Sequence, residues 1–144
     1  VKLQVETWAA AEPELRSLFA AHYAAVGEEG SDETVDCPVM RQLNEGGTLL
    51  LITAREQELV GYLWAIICRN PIRSSRKEAG CTLFLTPESR SLPNARRLIS
   101  FAETMLGAIG IEFIYIESRQ KRDITPLLER LGYLKSGTIM EKAL

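Results

Sequence analysis

Residues 83–101 read LFLTPESRSLPNARRLISF: an apolar strand, a turn led by Arg90, and a helix beginning near Asn94. The first turn of a helix leaves four backbone N–H groups without intrahelical partners, and the aligned peptide dipoles add partial positive charge there. Such a terminus suits an anion, a phosphate in particular. Taken alone, the same residues also make an ordinary helix start, with Pro93 in the first turn and Ser91 or Asn94 as the cap. Both readings stand at this point. Pro93 has no N–H and fixes φ near about −65°, so an anion-binding version of this turn lacks one donor.

Outward from this stretch, the chain alternates strands and helices. A short strand is expected over 2–7. Glu12, Pro13 and Glu14 then place acids and a proline where a helix begins. Leu15, Leu18, Phe19, His22 and Val26 follow at helical spacing, and Gly27 and Gly30 end that helix. A second helix covers 38–44 and stops at Gly46 and Gly47. Residues 48–54 and 60–68 are rich in β-formers and flank a polar tetrad, which reads as a hairpin. Residues 69–80 read as a polar, basic loop, and 81–86 as a further strand. The helix after the Arg90 turn runs over 94–109, with Leu98, Phe101, Ala102, Met105, Leu106 and Ile109 on one side, and Gly110 closes it. A strand over 111–117, a short helix over 124–131 and a weak last strand over 138–142 complete the chain.

The 144 residues are 46% hydrophobic and 25% charged, which fits one globular domain over 1–144. A net charge of −2 carries no global nucleic-acid or membrane signature. The longest apolar run, 59–68, is far short of the roughly 20 residues that span a bilayer, and no basic-then-apolar signal segment opens the chain. Cys37, Cys68 and Cys81 are odd in number and lack CxxC spacing, so a reduced, cytoplasmic setting is expected, with neither a disulfide framework nor a metal site. Arg69, Arg73, Arg76 and Lys77 form one basic run, and Arg119, Lys121 and Arg122 another. Solvated loops are the ordinary meaning of such runs. An acidic partner, adenosine phosphates or nucleic acid are the functional alternatives, and nucleic acid ranks last because no aromatic residues interleave the charges.

The order βααβββαβαβ, with an anion-type turn between the fourth strand and the third helix, resembles the GNAT superfamily of acyl-coenzyme A N-acyltransferases over essentially the whole chain. That family's turn reads Arg or Gln, two residues, Gly, one residue, Gly or Ala. Arg90 and Ala95 match its ends, and Pro93 replaces its central glycine. The ending Pro126-Leu127-Leu128-Glu129-Arg130-Leu131-Gly132-Tyr133 and the strand opening Val60-Gly61-Tyr62 also look like the family's. The strings RLISFAE at 97–103 and PLLERLGY at 126–133 are similar to small acetyltransferase-like proteins encoded by tailed bacteriophages.

The resemblance implies an α/β (α+β) fold: a mixed central sheet of about six to seven strands, helices on both faces, and a β-bulge with a V-shaped split between the fourth and fifth strands. It implies acetyl-CoA as cofactor and transfer of an acetyl group to a primary amine, on a small molecule or a protein. By position, Leu83, Phe84 and Leu85 supply the strand edge for pantetheine. Arg90 and the backbone of Ser91, Leu92, Asn94 and Ala95 face the pyrophosphate, with Arg96 and Arg97 as further phosphate contacts. Glycine restored at position 93 should then strengthen coenzyme binding.

The family's usual acid position, four residues before Gly132, is Leu128, which cannot donate a proton. His22, Glu88 and Glu117 are the remaining catalytic candidates. His22 is the only histidine and reads first as a hydrogen-bonded core residue, with a base facing the acceptor slot as the functional alternative. Tyr23 reads as a rim residue, and Tyr115 and Cys81 as core. A second class of function stays open: a GNAT-fold protein that has lost its chemistry and serves as a binding or virion-associated component, partnered by a phage or host protein. No membrane partner is expected.

Overall fold

The computed structural model describes residues 1–26 and 35–144. Its elements are β1 (Lys2–Glu6), α1 (Trp8–Val26), α2 (Cys37–Glu45), β2 (Leu49–Arg55), β3 (Leu59–Asn70), a 3-10 turn (Pro71–Arg73), β4 (Arg76–Leu85), α3 (Leu92–Ala108), β5 (Phe113–Ile116) and α4 (Thr125–Arg130). Five strands form one sheet in the order β1-β2-β3-β4-β5. All neighbours are antiparallel except β4 and β5, which run parallel. A parallel pair needs a crossover, and α3 supplies it.

Strand alternation divides the interior into two cores. On one face Leu51, Tyr62, Trp64 and Phe84 pack with Trp8 and Leu15 of α1 and Met40 of α2. On the other, Ile52, Leu63, Ala79 and Cys81 meet Leu98, Ala102 and Leu106 of α3. The first core is aromatic, with the Tyr62 and Trp64 rings stacked at 4.8 Å and Trp8 tilted against Trp64 at 5.8 Å. Truncating a buried aromatic of this kind to alanine costs about 3–5 kcal/mol. This core matters for the site because Phe84 and Trp64 belong to both.

Several boundaries differ from the sequence expectation. α1 starts at Trp8 rather than at Glu12, because Thr7 Oγ1 accepts the Ala10 N–H at 3.3 Å and Asn44 Oδ1 of α2 accepts the Trp8 N–H at 2.8 Å. Two donors of the first turn are thereby satisfied, and Pro13 lies inside the helix. Gly27 and Gly30, expected to end it, lie outside the described residues. In α2 the Asp36 carboxylate accepts the Val39 N–H, and Gly46 with left-handed Gly47 (φ 76°) ends the helix as expected.

Residues 69–80 are not a loop. β3 and β4 form one long hairpin with unbroken register from Gly61↔Leu85 to Asn70↔Arg76. Its tip is made by Asn70, whose side chain accepts the Ile72 N–H at 3.0 Å, and by Ser74 and Ser75 at φ 55° and 54°. Of the charges in this stretch, Arg76 is neutralised within β4. Glu78 pairs with Arg76 at 2.5 Å and also accepts from Asn70 Nδ2 and the Tyr115 hydroxyl at 3.1 Å each. Tyr115 therefore serves this cluster at the sheet surface, 36% exposed, and is not a core residue. The expected strand over 138–142 is absent, leaving five strands rather than six or seven. Ile139 and Met140 there are 70% and 87% exposed, because a strand needs a partner edge and this segment pairs with none.

Gly61 fixes the end of β4. A Cβ at this position would sit 2.5 Å from the Phe84 carbonyl oxygen and 2.6 Å from Leu85 Cδ2, so only glycine permits this approach of β3. The Thr86 N–H donates to Val60 O at 2.8 Å just beyond, which holds β4 in place after β5 has ended. Among the described residues no helix is long and apolar enough to cross a membrane.

Candidate active site

β5 pairs with β4 only from Glu78↔Phe113 to Cys81↔Ile116. β4 continues through Thr82, Leu83, Phe84 and Leu85, held on its other side by β3. The fourth and fifth strands therefore part beyond Cys81, as expected. The bulge expected with the split is not present as a register shift, since β3–β4 pairing is continuous through it. Instead β5 is turned away: Ser118 Oγ donates to Asp123 Oδ1 and accepts the Ile124 N–H, both at 2.9 Å, which folds 118–124 back on itself. A strand edge released in this way presents backbone donors and acceptors to an extended ligand.

A cavity of about 240 Å³ occupies the split. The residues 81–85 of β4 form its floor. His22 and Tyr23 of α1 and Trp64 of β3 close one side, Arg90 and Ala95 another, and Glu117, Arg119 and Arg122 the third. Of the residues anticipated from sequence, the cavity thus gathers His22, Glu117, Leu83, Phe84, Leu85, Arg90 and Ala95. Glu88 lies exposed in the turn before α3 and does not line it. Ser91, Leu92, Asn94, Arg96 and Arg97 are also outside the lining. Arg97 is turned to the N-terminal strand, where it donates to Val1 O at 3.1 Å, and Arg96 is exposed on α3.

The helix start explains why those residues are elsewhere. α3 begins at Leu92 with Ser91 as its cap, and the Ser91 hydroxyl accepts the Asn94 N–H at 3.2 Å. The Ala95 N–H is spent on Ser91 O at 3.0 Å, and Asn94 Nδ2 on Ser89 O at 2.8 Å. With Pro93 lacking a donor, positions 93, 94 and 95 have no amide to give a ligand. Arg90 instead points inward, donating to Leu85 O at 3.0 Å with its guanidinium 5.7 Å from the Phe84 ring centroid. Burial, and then the neighbouring Arg122, hold its pKa below the usual guanidinium value, with Glu88 opposing.

His22 joins both of its sequence readings. It is only 4% exposed, stacks on Phe84 at 4.9 Å and on Tyr23 at 5.6 Å, and shares a 2.5 Å hydrogen bond through Nδ1 with the Tyr62 hydroxyl. Burial, followed by Arg119 and Arg90, lowers its pKa to about 4. The ring is neutral at pH 7, and with Nδ1 engaged only Nε2 remains for a ligand. The Cys81 thiol is pushed by burial up to about 12, which removes it as a nucleophile at neutral pH. Leu128 is buried apolar filling.

Sequence reasoning left Arg119 and Arg122 in a basic run, with adenosine phosphates among its alternatives, and did not name them as site residues; the structure places both at the cleft. They lie three apart across a tight turn in which the Arg122 N–H donates to Arg119 O at 3.0 Å. Lys121 Nζ straps this turn to α1 by donating to Ala24 O at 2.8 Å. The available signal was position: a basic i, i+3 pair directly after the strand that leaves the split.

No protein-family model matches the chain, and no curated protein matches its sequence. Solved structures do match. An acetyltransferase of Trypanosoma brucei is 17% identical, with 99% of each chain covered and a TM-score of 0.69. A predicted acetyltransferase of Clostridium acetobutylicum, solved with acetyl-CoA, is 11% identical over 99% of this chain and 95% of its own, with a TM-score of 0.78. An aminoglycoside acetyltransferase from an uncultured soil sample, solved with sisomicin, is 15% identical over 99% and 95%, with a TM-score of 0.76. At these identities the likeness is one of fold, and this chain shares the fold of these acetyltransferases.

Proposed function

We propose that the protein is an acetyl-CoA-dependent N-acetyltransferase acting on a primary amine. The observation that carries this reading is the edge of β4 over 82–85, released by β5 into a cavity with an apolar floor. Pantetheine, an extended chain with amide groups, fits such an edge as an added strand, and Leu83, Phe84 and Trp64 suit its apolar portions. The acetyl-CoA present in the Clostridium structure of the same fold supports the choice of cofactor.

Acetyl-CoA supplies a thioester; the chain's own residues do the rest. Backbone N–H groups of the β4 edge stabilise negative charge on the carbonyl oxygen. Glu117, facing the cavity, takes the proton from the amine as the N–C bond forms and the C–S bond breaks. His22 is the weaker candidate base, since one ring nitrogen is held by Tyr62 and burial disfavours its protonation. With Leu128 apolar at the family's acid position, water returns the proton to the departing sulfur.

Calorimetry with coenzyme A, combined with thiol release in the presence of acetyl-CoA and a panel of amines, tests this reading. Glu117→Gln should lower turnover by about 10²- to 10⁴-fold while coenzyme A still binds. Absence of coenzyme A binding at millimolar concentration would sink the enzyme reading. It would favour a second one, a GNAT-fold binding component of the phage or virion type, which the occupied amides of the α3 start independently support. The strings at 97–103 and 126–133 support a phage-related lineage in either case, with the host cytoplasm or virion as location.

A further inference from the structure

We infer that Tyr62 holds His22 in the tautomer that carries its proton on Nε2, and that this N–H donates to a carbonyl oxygen of an acylated pantetheine chain lying along β4. The inference rests on the acetyl-CoA reading. It makes His22 a hydrogen-bond donor to the ligand rather than a base, with Tyr62 as its positioning residue.

The proton can be placed from the hydrogen bonds. Tyr62 is fully buried, and burial, followed by the neighbouring Tyr23, raises its pKa above the ordinary phenol value, so the hydroxyl keeps its proton. A buried hydroxyl proton needs an acceptor. Among the described residues the partner of this hydroxyl is His22 Nδ1, at 2.5 Å. The phenol therefore donates and Nδ1 accepts. A neutral imidazole has one proton for its two nitrogens, and an accepting Nδ1 leaves that proton on Nε2. Nε2 itself has no hydrogen-bond partner among the described residues. Yet no buried side-chain nitrogen or oxygen is left without one there, so Nε2 is reached from outside, at the cavity that His22 lines.

The kind of ligand group follows from this donor. An N–H needs a lone pair, and an ammonium acceptor offers none. Taking up a proton instead would put a cation on a buried ring that also faces Arg119 and Arg90, and these causes together hold its pKa at about 4. The ring stacks on Phe84 at 4.9 Å, within the edge of β4 that β5 releases. An extended chain added to that edge runs beside the imidazole, and its oxygens there are carbonyls. Phe84, Tyr23 and Trp64 make the surroundings of the ring largely apolar, which a neutral carbonyl enters at a lower desolvation cost than a phosphate. A thioester carbonyl would gain most, since the bond strengthens as negative charge develops on its oxygen.

His22 is the only histidine, so heteronuclear NMR of the whole chain labelled in its imidazole reads a single ring. At pH 7 the free protein should show a protonated Nε2 and an unprotonated, hydrogen-bonded Nδ1. Tyr62→Phe removes only the hydroxyl, and should move the Nδ1 resonance to that of a nitrogen without a hydrogen bond. Saturation with acetyl-CoA should shift the Nε2 proton downfield. Coenzyme A and its S-ethyl thioether, which lacks the thioester oxygen, are the comparison ligands. A shift with acetyl-CoA alone assigns the contact to the thioester carbonyl, and a shift common to all three assigns it to a pantetheine amide; either supports the donor. A proton on Nδ1 or a charged ring in the free protein overturns the inference and leaves the acetyl-CoA reading standing, and this measurement decides even where Tyr62→Phe does not fold. An unmoved Nδ1 in folded Tyr62→Phe overturns it as well. So does an unmoved Nε2 proton when calorimetry shows acetyl-CoA bound. No binding of coenzyme A or acetyl-CoA by the unsubstituted protein would overturn the acetyl-CoA reading and the carbonyl contact together.

Discussion

Two groups of arginines in this molecule are handled in opposite ways. At the β1–β2 edge and along the β3–β4 hairpin, arginines meet carboxylates: Arg55 donates to Glu6 and Glu14, and Arg76 to Glu78. Around the cleft, Glu117 is the lining carboxylate among the described residues, and it meets Arg119 at 3.6 Å. In the first group the folded chain pairs Arg55 and Arg76 with carboxylates at the sheet surface. The second group lies where β5 has opened the sheet, and burial and Arg122 hold the Arg90 pKa below its ordinary value. The basic runs at 69–77 and 119–122 look alike in sequence, and what separates them is place: one lies along a hairpin, the other lines the cleft.

This contrast fixes where the protein should be acid-sensitive, and the largest expected effect is at the cleft. His22 has a folded pKa of about 4, below its ordinary 6.5, because it is buried and faces Arg119 and Arg90. Between these values the unfolded chain binds a proton that the folded chain does not. Stability is therefore full above about pH 6.5 and falls as the pH drops toward 4, by about 2–3 kcal/mol at about 1.4 kcal/mol per unit. Urea unfolding from pH 7 to 4.5 measures this, and His22→Gln should flatten the slope. A flat profile in the unsubstituted protein would show that the imidazole is not enclosed.

The paired region titrates lower. Against burial, hydrogen bonds from Thr53 and then Arg55 hold the Glu6 carboxyl below the usual range, and hydrogen bonds from Arg55 hold that of Glu14 down, so their contribution is present above about pH 4.5 and lost as the pH falls further. Arg55→Met leaves those two carboxylates without their shared cation and removes donors at 2.9 Å to each. We expect a loss of about 2 kcal/mol at pH 7, the scale of a part-exposed, charge-assisted pair, and a shallower decline below pH 4.5. Unchanged urea midpoints would show that the Arg55 pairs add nothing to the stability of the fold.

The fold was legible because its signals are local and repeated. Apolar alternation in β2 and β3, the caps around α2, and the strand–turn–helix at Arg90 each point to the same architecture. The site was half legible. Position along the chain identified His22, Arg90 and Glu117, since elements of a known order bring them to one cleft. Arg119 and Arg122 were legible only as a basic run, because their place at the cleft depends on the local turn closed by Ser118 and on the strap from Lys121 to Ala24, a contact 97 residues apart in sequence. The hairpin over 69–80 was hidden for the converse reason. Arg76 and Glu78 pair within β4 and Tyr115 of β5 joins them, a cluster that a linear reading counts as solvated. The strand over 138–142 failed because β-propensity without an edge to pair with does not make a strand.

The smallest effect expected tests the helix start as a phosphate site. From sequence, Pro93→Gly restores a donor at the family's glycine position and should strengthen coenzyme A binding. In the structure the neighbouring Asn94 N–H is already taken by the Ser91 hydroxyl, and Arg90 is turned into the cleft. We therefore expect Pro93→Gly alone to change coenzyme A affinity by less than about twofold, while greater freedom of the unfolded chain lowers stability by about 0.4–1 kcal/mol. Ser91→Ala/Pro93→Gly should go further, because it frees the Asn94 amide as well, at a further cost of about 1 kcal/mol for the lost cap. Calorimetry on both variants gives the answer. A tenfold gain from Pro93→Gly by itself would mean that the donor missing at position 93 is what limits phosphate binding at the helix start.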